Sequence, residues 1–132
     1  MDNKTISSWI RQARYRAKRQ DIYSDLEIQD IVEILAEQEN KCAYCQCNDP
    51  DTLDHPFPLK DHAPNIPANV VPVCKACKQR KKNHDLIGMF TLGIITEERY
   101  LKLLGQLFSK RGGNIIKEYV RRLTGHSGDA DE

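Results

Sequence analysis

Cys42-Ala-Tyr-Cys45 and Cys74-Lys-Ala-Cys77 bracket residues 46–73, and these two turns constrain the chain more than any other feature in it. A tetrahedral zinc ion takes four soft ligands, and two Cys-x-x-Cys turns converge on one readily. The spacing therefore predicts a structural Zn2+ held by Cys42, Cys45, Cys74 and Cys77. Four thiolates fill every coordination position, so such an ion holds the fold and does no chemistry. Lys41, Lys75 and Lys78 would offset its negative charge. The segment between the turns is longer than in a simple zinc ribbon, so it must carry something of its own. Cys47 is left over. Five cysteines are an odd number, which argues against a complete disulfide framework and for a reducing, intracellular setting.

A staple suits this composition. Aromatic residues make up 7% of the chain and charged residues 30%, so the core is expected to be modest, and small cores commonly need a covalent or metal cross-link. The expected organisation is a single domain over 1–125, with a helical N-terminal part at 5–38, a zinc-bearing centre at 40–84 and C-terminal helices at 96–124. A disordered tail would follow at 126–132. No apolar run approaches the roughly 20 residues needed to cross a bilayer, and the first residues lack the apolar stretch of a secretory signal. A soluble, cytoplasmic protein with no membrane partner is expected.

The net charge is only +1, but its distribution is uneven. Residues 11–19 (RQARYRAKR) and 75–82 (KACKQRKK) carry only positive charges, whereas 21–39 are acidic. Blocks of opposite sign make a polarised surface, one face of which attracts phosphates, although solvated helix faces would look the same.

Helical spacing places a helix at 5–19 with Ile6, Trp9, Ala13 and Ala17 as its buried stripe. Ser24 to Glu27 reads as a capping box for a second helix, with Ile28, Ile31, Val32 and Leu35 inward. Thr52 to His55 and Asn69 to Val73 suit two short strands. Pro56, Pro58, Pro64 and Pro67 keep the connection between them irregular. A helix is expected from Cys74 or Cys77 through the lysines. A further one is capped by Thr96, with Tyr100, Leu101, Leu104, Leu107 and Phe108 inward, and a last one is capped by Asn114.

The ordered set Cys42, Cys45, Asp54-His55, Pro58-Leu59, Asn69-Val70-Val71, Cys74, Cys77 and Lys81 resembles the zinc-stapled branch of the HNH, or ββα-metal, endonucleases. The similarity is close over roughly 40–84 and loose outside it. The resemblance implies an α+β fold: a ββα-metal core with a closed four-cysteine zinc site, flanked by helices from both ends. It implies hydrolysis of DNA phosphodiester bonds in phage, mobile-element or host-defence biology, with RNA as the alternative substrate. His55 would be the general base. Asp54 would bind a catalytic Mg2+ or Mn2+. Asn69 would brace the hairpin and orient the His55 ring. Arg80, Lys81 and Lys82 on the following helix, with Arg14 and Lys18 on the first, would grip phosphates. The C-terminal helices pack on the core or offer a surface to a protein partner.

One position departs from the family pattern. The residue after the last cysteine is usually a second metal ligand, Asn or His, and here it is Lys78. A protonated ammonium has no lone pair for a metal and repels one. Four readings stay open: Asp54 holds the ion with waters; Asn83 or His84 is the second ligand; Lys78 itself stabilises the transition-state charge; or catalysis is lost. The last gives a rival from another class, a catalytically silent zinc module that binds nucleic acid or a partner nuclease.

Overall fold

The computed structural model describes residues 2–125; the expected disordered tail at 126–132 lies outside them. The fold is α+β, mostly helical around one small sheet. In chain order it contains α1 (Asn3–Arg19), α2 (Ile28–Glu37), β1 (Thr52–Asp54), β2 (Val71–Val73), α3 (Lys75–Lys81), α4 (Leu86–Thr91), α5 (Glu97–Phe108) and α6 (Gly113–Leu123). Single 3-10 turns at Leu59–Asp61 and Pro67–Asn69 punctuate the proline-rich connection.

β1 and β2 pair antiparallel, with Leu53 opposite Pro72 and Asp54 opposite Val71. Side chains alternate along a strand, and both faces of this hairpin are covered. Leu53 joins Ile6, Trp9, Ile10, Ile31, Ile34 and Leu35 in a cluster between the hairpin, α1 and α2. Val71 and Val73 join Phe57, Leu86, Met89, Leu103, Leu107 and Ile116 in a second cluster that also contains three of the paired cysteines. The hairpin is the wall between two cores, which is why all three residues of β2 are buried.

Helix ends follow local chemistry. Asp2 caps α1 by accepting the Thr5 amide at 2.8 Å. Thr96 caps α5 by accepting the Arg99 amide at 3.1 Å, with Glu97 and Glu98 in the first turn. The cap of α2 is displaced from the expected Ser24: Glu27 is the N-cap, and Asp30 reaches back to its amide at 2.9 Å. Ser24 instead forms a parallel bridge with Asn65.

Other details also differ from the sequence reading. On α2, Ile34 is buried while Ile28 and Val32 are each 38% exposed, because α2 presents its inward face to α1 and β2 rather than to a wider core. On α5, Leu103 is buried and Leu101 is 57% exposed. The helix α4 had no strong periodic signal; Asp85 caps it by accepting the Gly88 amide at 2.8 Å. The N-cap of α6 is Gly112, not Asn114, at φ 89°. A Cβ at Gly112 would lie 2.6 Å from Ile66 Cδ1, so the turn needs glycine for both its backbone and the close approach.

Polar ties bind the C-terminal helices to the N-terminal half. Arg99 Nε donates to the Ala43 carbonyl at 2.7 Å. Arg111 pairs with Asp25 and Asp30, and Lys110 pairs with Glu37. No helix among the described residues is long and apolar enough to cross a membrane.

Candidate metal centre and cationic pocket

The two Cys-x-x-Cys turns meet as their spacing requires. The first lies in the loop before β1, and the second begins at Cys74, the N-cap of α3, so the register of β1 on β2 carries one turn onto the other. The Sγ atoms of Cys42, Cys45, Cys74 and Cys77 all lie within 4.8 Å of one another, and Cys45 and Cys74 are 4.0 Å apart. Tetrahedral thiolates on zinc, at a metal–sulfur length of about 2.3 Å, are roughly 3.8 Å apart. The four cysteines could therefore hold a zinc ion with little adjustment.

Donors already point at the sulfurs. The Tyr44 amide approaches Cys42 Sγ at 3.4 Å, the Cys47 amide approaches Cys45 Sγ at 3.4 Å, and Asn48 Nδ2 approaches Cys74 Sγ at 3.5 Å. Burial pushes the Cys74 thiol up, but hydrogen bonds from Asn48 and the Cys77 backbone outweigh it and bring the group down to about 6. Two of the three lysines expected to balance the cage are engaged elsewhere. Lys41 pairs with Asp49, Lys78 donates to the Leu53 carbonyl at 3.0 Å, and it is Arg80 that reaches Cys77 Sγ, at 3.7 Å. Arg80 thus serves the cage rather than the groove. Cys47 is exposed and unpaired among the described residues.

A second site lies at the end of β1. A cavity of about 250 Å3 is bordered by Arg16, Asp54, His55, Lys78, Lys81 and Lys82, among others. His55 is 4% exposed, and its Nε2 lies 2.7 Å from Asn65 Oδ1. Asn65 is fixed in turn: its Nδ2 donates to Ser24 Oγ at 2.9 Å and its amide donates to the Tyr23 carbonyl at 2.9 Å. With Nε2 donating to the amide oxygen, the lone pair of the neutral ring is on Nδ1. Nδ1 has no hydrogen-bond partner among the described residues.

Burial pushes His55 down to about 4, helped by the Arg16 and Lys78 charges and opposed by the Asn65 hydrogen bond and the Asp54 carboxylate. The imidazole is neutral at pH 7. Burial and the Arg16 guanidinium also hold Lys78 below its ordinary value. Arg16 Nε is a buried donor with no partner among the described residues. Buried donors are nearly always satisfied, so the wall of this cavity has unused hydrogen-bonding capacity.

The expected role of Asp54 is not what its surroundings favour. Its Oδ2 accepts the Tyr44 hydroxyl at 2.7 Å and faces Lys81 Nζ at 3.2 Å. Burial, then the Asp54 charge, raises Tyr44 well above its ordinary value, so the hydroxyl stays protonated and donates. Lys81 is 3% exposed and belongs to this ion pair rather than to an open phosphate grip. Asp54 is the one carboxylate bordering the cavity among the described residues, and it shares that border with five cationic side chains, Arg16, Lys60, Lys78, Lys81 and Lys82. A lone carboxylate already paired with an ammonium does not suit Mg2+ or Mn2+, which need several oxygen ligands. Asn83 borders the cavity but His84 does not, so the two offered as a second ligand do not share the site.

Asn69 braces the hairpin and does not contact the ring. Its Oδ1 accepts the Phe57 amide at 3.0 Å, and its Nδ2 donates to the Phe57 and Pro64 carbonyls, each at 2.8 Å. That geometry closes the proline-rich connection into a fixed loop, and the loop presents Asn65. Arg14 is likewise drawn into the fold, donating from Nη2 to the Leu26 carbonyl at 2.7 Å. Lys18 is exposed and does not border the cavity. Two residues of the site had no sequence signal of their own. Asn65 sits in an aperiodic Pro-Asn-Ile-Pro, and Tyr44 reads as a knuckle filler. Arg16 offers a weak clue, since it flanks the buried Ala13 and Ala17.

Comparison with protein-family models, with curated proteins and with solved structures finds no match to this chain.

Proposed function

We propose that the chain is an HNH-type endonuclease in which the β1–β2–α3 unit is the ββα core, the cysteine cage is a zinc staple, and His55 drives hydrolysis of a DNA phosphodiester. One observation carries this reading: a neutral imidazole, held through Nε2 by Asn65, keeps an unshared lone pair on Nδ1 beside a cavity walled by Arg16, Lys78 and Lys82. A core histidine that merely filled space would have no reason to sit among cations that lower its basicity.

In the proposed step His55 Nδ1 takes a proton from water, and the water oxygen bonds to phosphorus. The bond from phosphorus to the leaving sugar oxygen breaks, and that oxygen takes a proton from solvent. Lys78 and Arg16 meet the charge that builds on the phosphoryl oxygens, the task an oxyanion site performs. No step is assigned to a divalent ion, because Asp54 is committed to Lys81 and Tyr44. Zinc, when bound by the four thiolates, supplies a rigid hinge between β1 and α3 and no reaction chemistry.

The test is cleavage of plasmid and of labelled oligonucleotides by zinc-loaded protein, beside His55→Ala. Loss of cutting by roughly 10^2 to 10^4 in the variant is the expected result; equal cutting by both proteins overturns the reading. The rival, a silent nucleic-acid-binding module, is favoured by the Asp54–Lys81 pair, which removes the expected ion ligand. It predicts binding without cutting under every ionic condition.

A further inference from the structure

The His55 cavity is not isolated. It shares Arg16 and Lys78 with a second open hollow of about 480 Å3, bordered by Arg11, Gln12 and Tyr15. Through Gln12 that hollow meets a third, of about 520 Å3, at Lys4, Trp9 and Lys75. The three form one trough along α1, with the hairpin and α3 as its other bank. From Lys4 to Gln20 a helix rises about 24 Å at roughly 1.5 Å per residue. At the B-form spacing of about 3.4 Å per strand that length holds at most about seven phosphates.

The charge of the trough is one-sided. Lys4, Arg11, Arg16, Lys75, Lys78 and Lys82 line it, and its two acids are Asp51 and the already paired Asp54. At its middle stands Tyr15, 61% exposed, with the Arg19 guanidinium 5.8 Å from the ring centroid. An exposed tyrosine inside a cationic channel offers nothing to a paired duplex, whose base faces are covered by their neighbours. It offers a stacking surface to an unpaired base.

We propose that this trough binds an unpaired polynucleotide strand, with phosphates on Arg11, Arg16 and Lys78 and one base stacked on Tyr15, feeding the adjacent phosphate to His55. The site partly coincides with the one under the proposed function and rests on that reading for its hydrolytic end, but binding can be measured without cleavage.

The experiment uses the full, zinc-loaded chain carrying His55→Ala, so that bound strands stay intact, with fluorescent strands of about 12 nucleotides, within the site sizes such channels show. Single-stranded DNA, single-stranded RNA of the same sequence and the matching DNA duplex are compared at one salt concentration. The expected result is single strands bound about tenfold or more tighter than duplex. Tyr15→Ala then weakens single strands about tenfold and leaves the duplex within about twofold, while Tyr15→Phe keeps the affinity. Arg11→Gln lowers the salt slope for single strands by about 0.7, one phosphate contact. The DNA and RNA arms identify the sugar, and tight binding of either supports the trough. Duplex bound as tightly as single strands, or Tyr15→Ala acting equally on both, overturns it. Tyr15-dependent single-strand binding by a chain that never cuts would refute the hydrolytic reading and leave the trough standing. Cutting of duplex indifferent to Tyr15 would do the reverse.

Discussion

The cysteine cage and the His55 cavity lie at opposite ends of the same hairpin and are built on opposite principles. The cage is made of four identical ligands from two short turns, its sulfurs converge on one point, and nearby amides already face them. The cavity gathers side chains from α1, the end of β1, the proline-rich loop and α3, and it leaves a ring nitrogen and a guanidinium nitrogen unsatisfied. A closed coordination set spends all of its bonding inside the molecule, whereas an open one keeps bonding capacity for something that arrives. On the function proposed above, that difference gives one end of the hairpin a structural role and the other the chemistry.

The contrast can be broken most forcefully at the cage. Stripping zinc, or Cys77→Ser, is expected to abolish the cooperative thermal transition, since zinc binding in such small domains is worth about 10–16 kcal/mol and doubles as folding energy. Circular dichroism with metal analysis checks this; an unchanged melt in the metal-free protein would mean the cage is not the staple. Next in size is the Asp54–Lys81 pair. Lys81→Met leaves a buried carboxylate uncompensated and is expected to cost about 3–5 kcal/mol in denaturant unfolding, with Asp54→Asn added back recovering much of the loss. A neutral Lys81→Met would free Asp54 for an ion.

The pH dependence sharpens the other side. His55 is about 4 in the fold against an ordinary value of 6.5, so the unfolded chain binds a proton that the folded chain refuses. The stability linked to this residue is whole above pH 6.5 and falls as the pH drops toward 4, by about 3 kcal/mol in all. His55→Gln should flatten that portion of the unfolding free energy between pH 7 and 4; an unchanged slope would place the ring in water. The smallest effect belongs to Asn65. Asn65→Ala removes the partner of a buried ring nitrogen and should cost about 1–3 kcal/mol of stability. It should also move the acid limb of the cleavage profile, which a purely structural asparagine would leave in place.

How much of this was legible in the sequence follows the same divide. The cage, both strands, the capped start of α5 and the buried stripe of α1 depend on residues near one another in the chain, where spacing and capping chemistry speak directly. Asp54, His55 and Asn69 stand out only as an ordered set, and that set does not name the side chains they contact. The His55 ring is held by Asn65 rather than Asn69, and the carboxylate of Asp54 faces Lys81. Both contacts have one cause: the partner of a buried polar group is chosen by tertiary approach, here the bridge of Ser24 to Asn65 and the seating of α3 against β1. Neither contact leaves a local periodicity to read.

The most direct measurement of the central claim is cleavage of a labelled single strand by zinc-loaded wild-type protein in buffer freed of magnesium and manganese, repeated with each ion added back and with His55→Ala. The account predicts cutting without either ion, little changed by adding one, and absent in the variant. Cutting that appears only when magnesium or manganese is supplied, or that survives in His55→Ala, would contradict it.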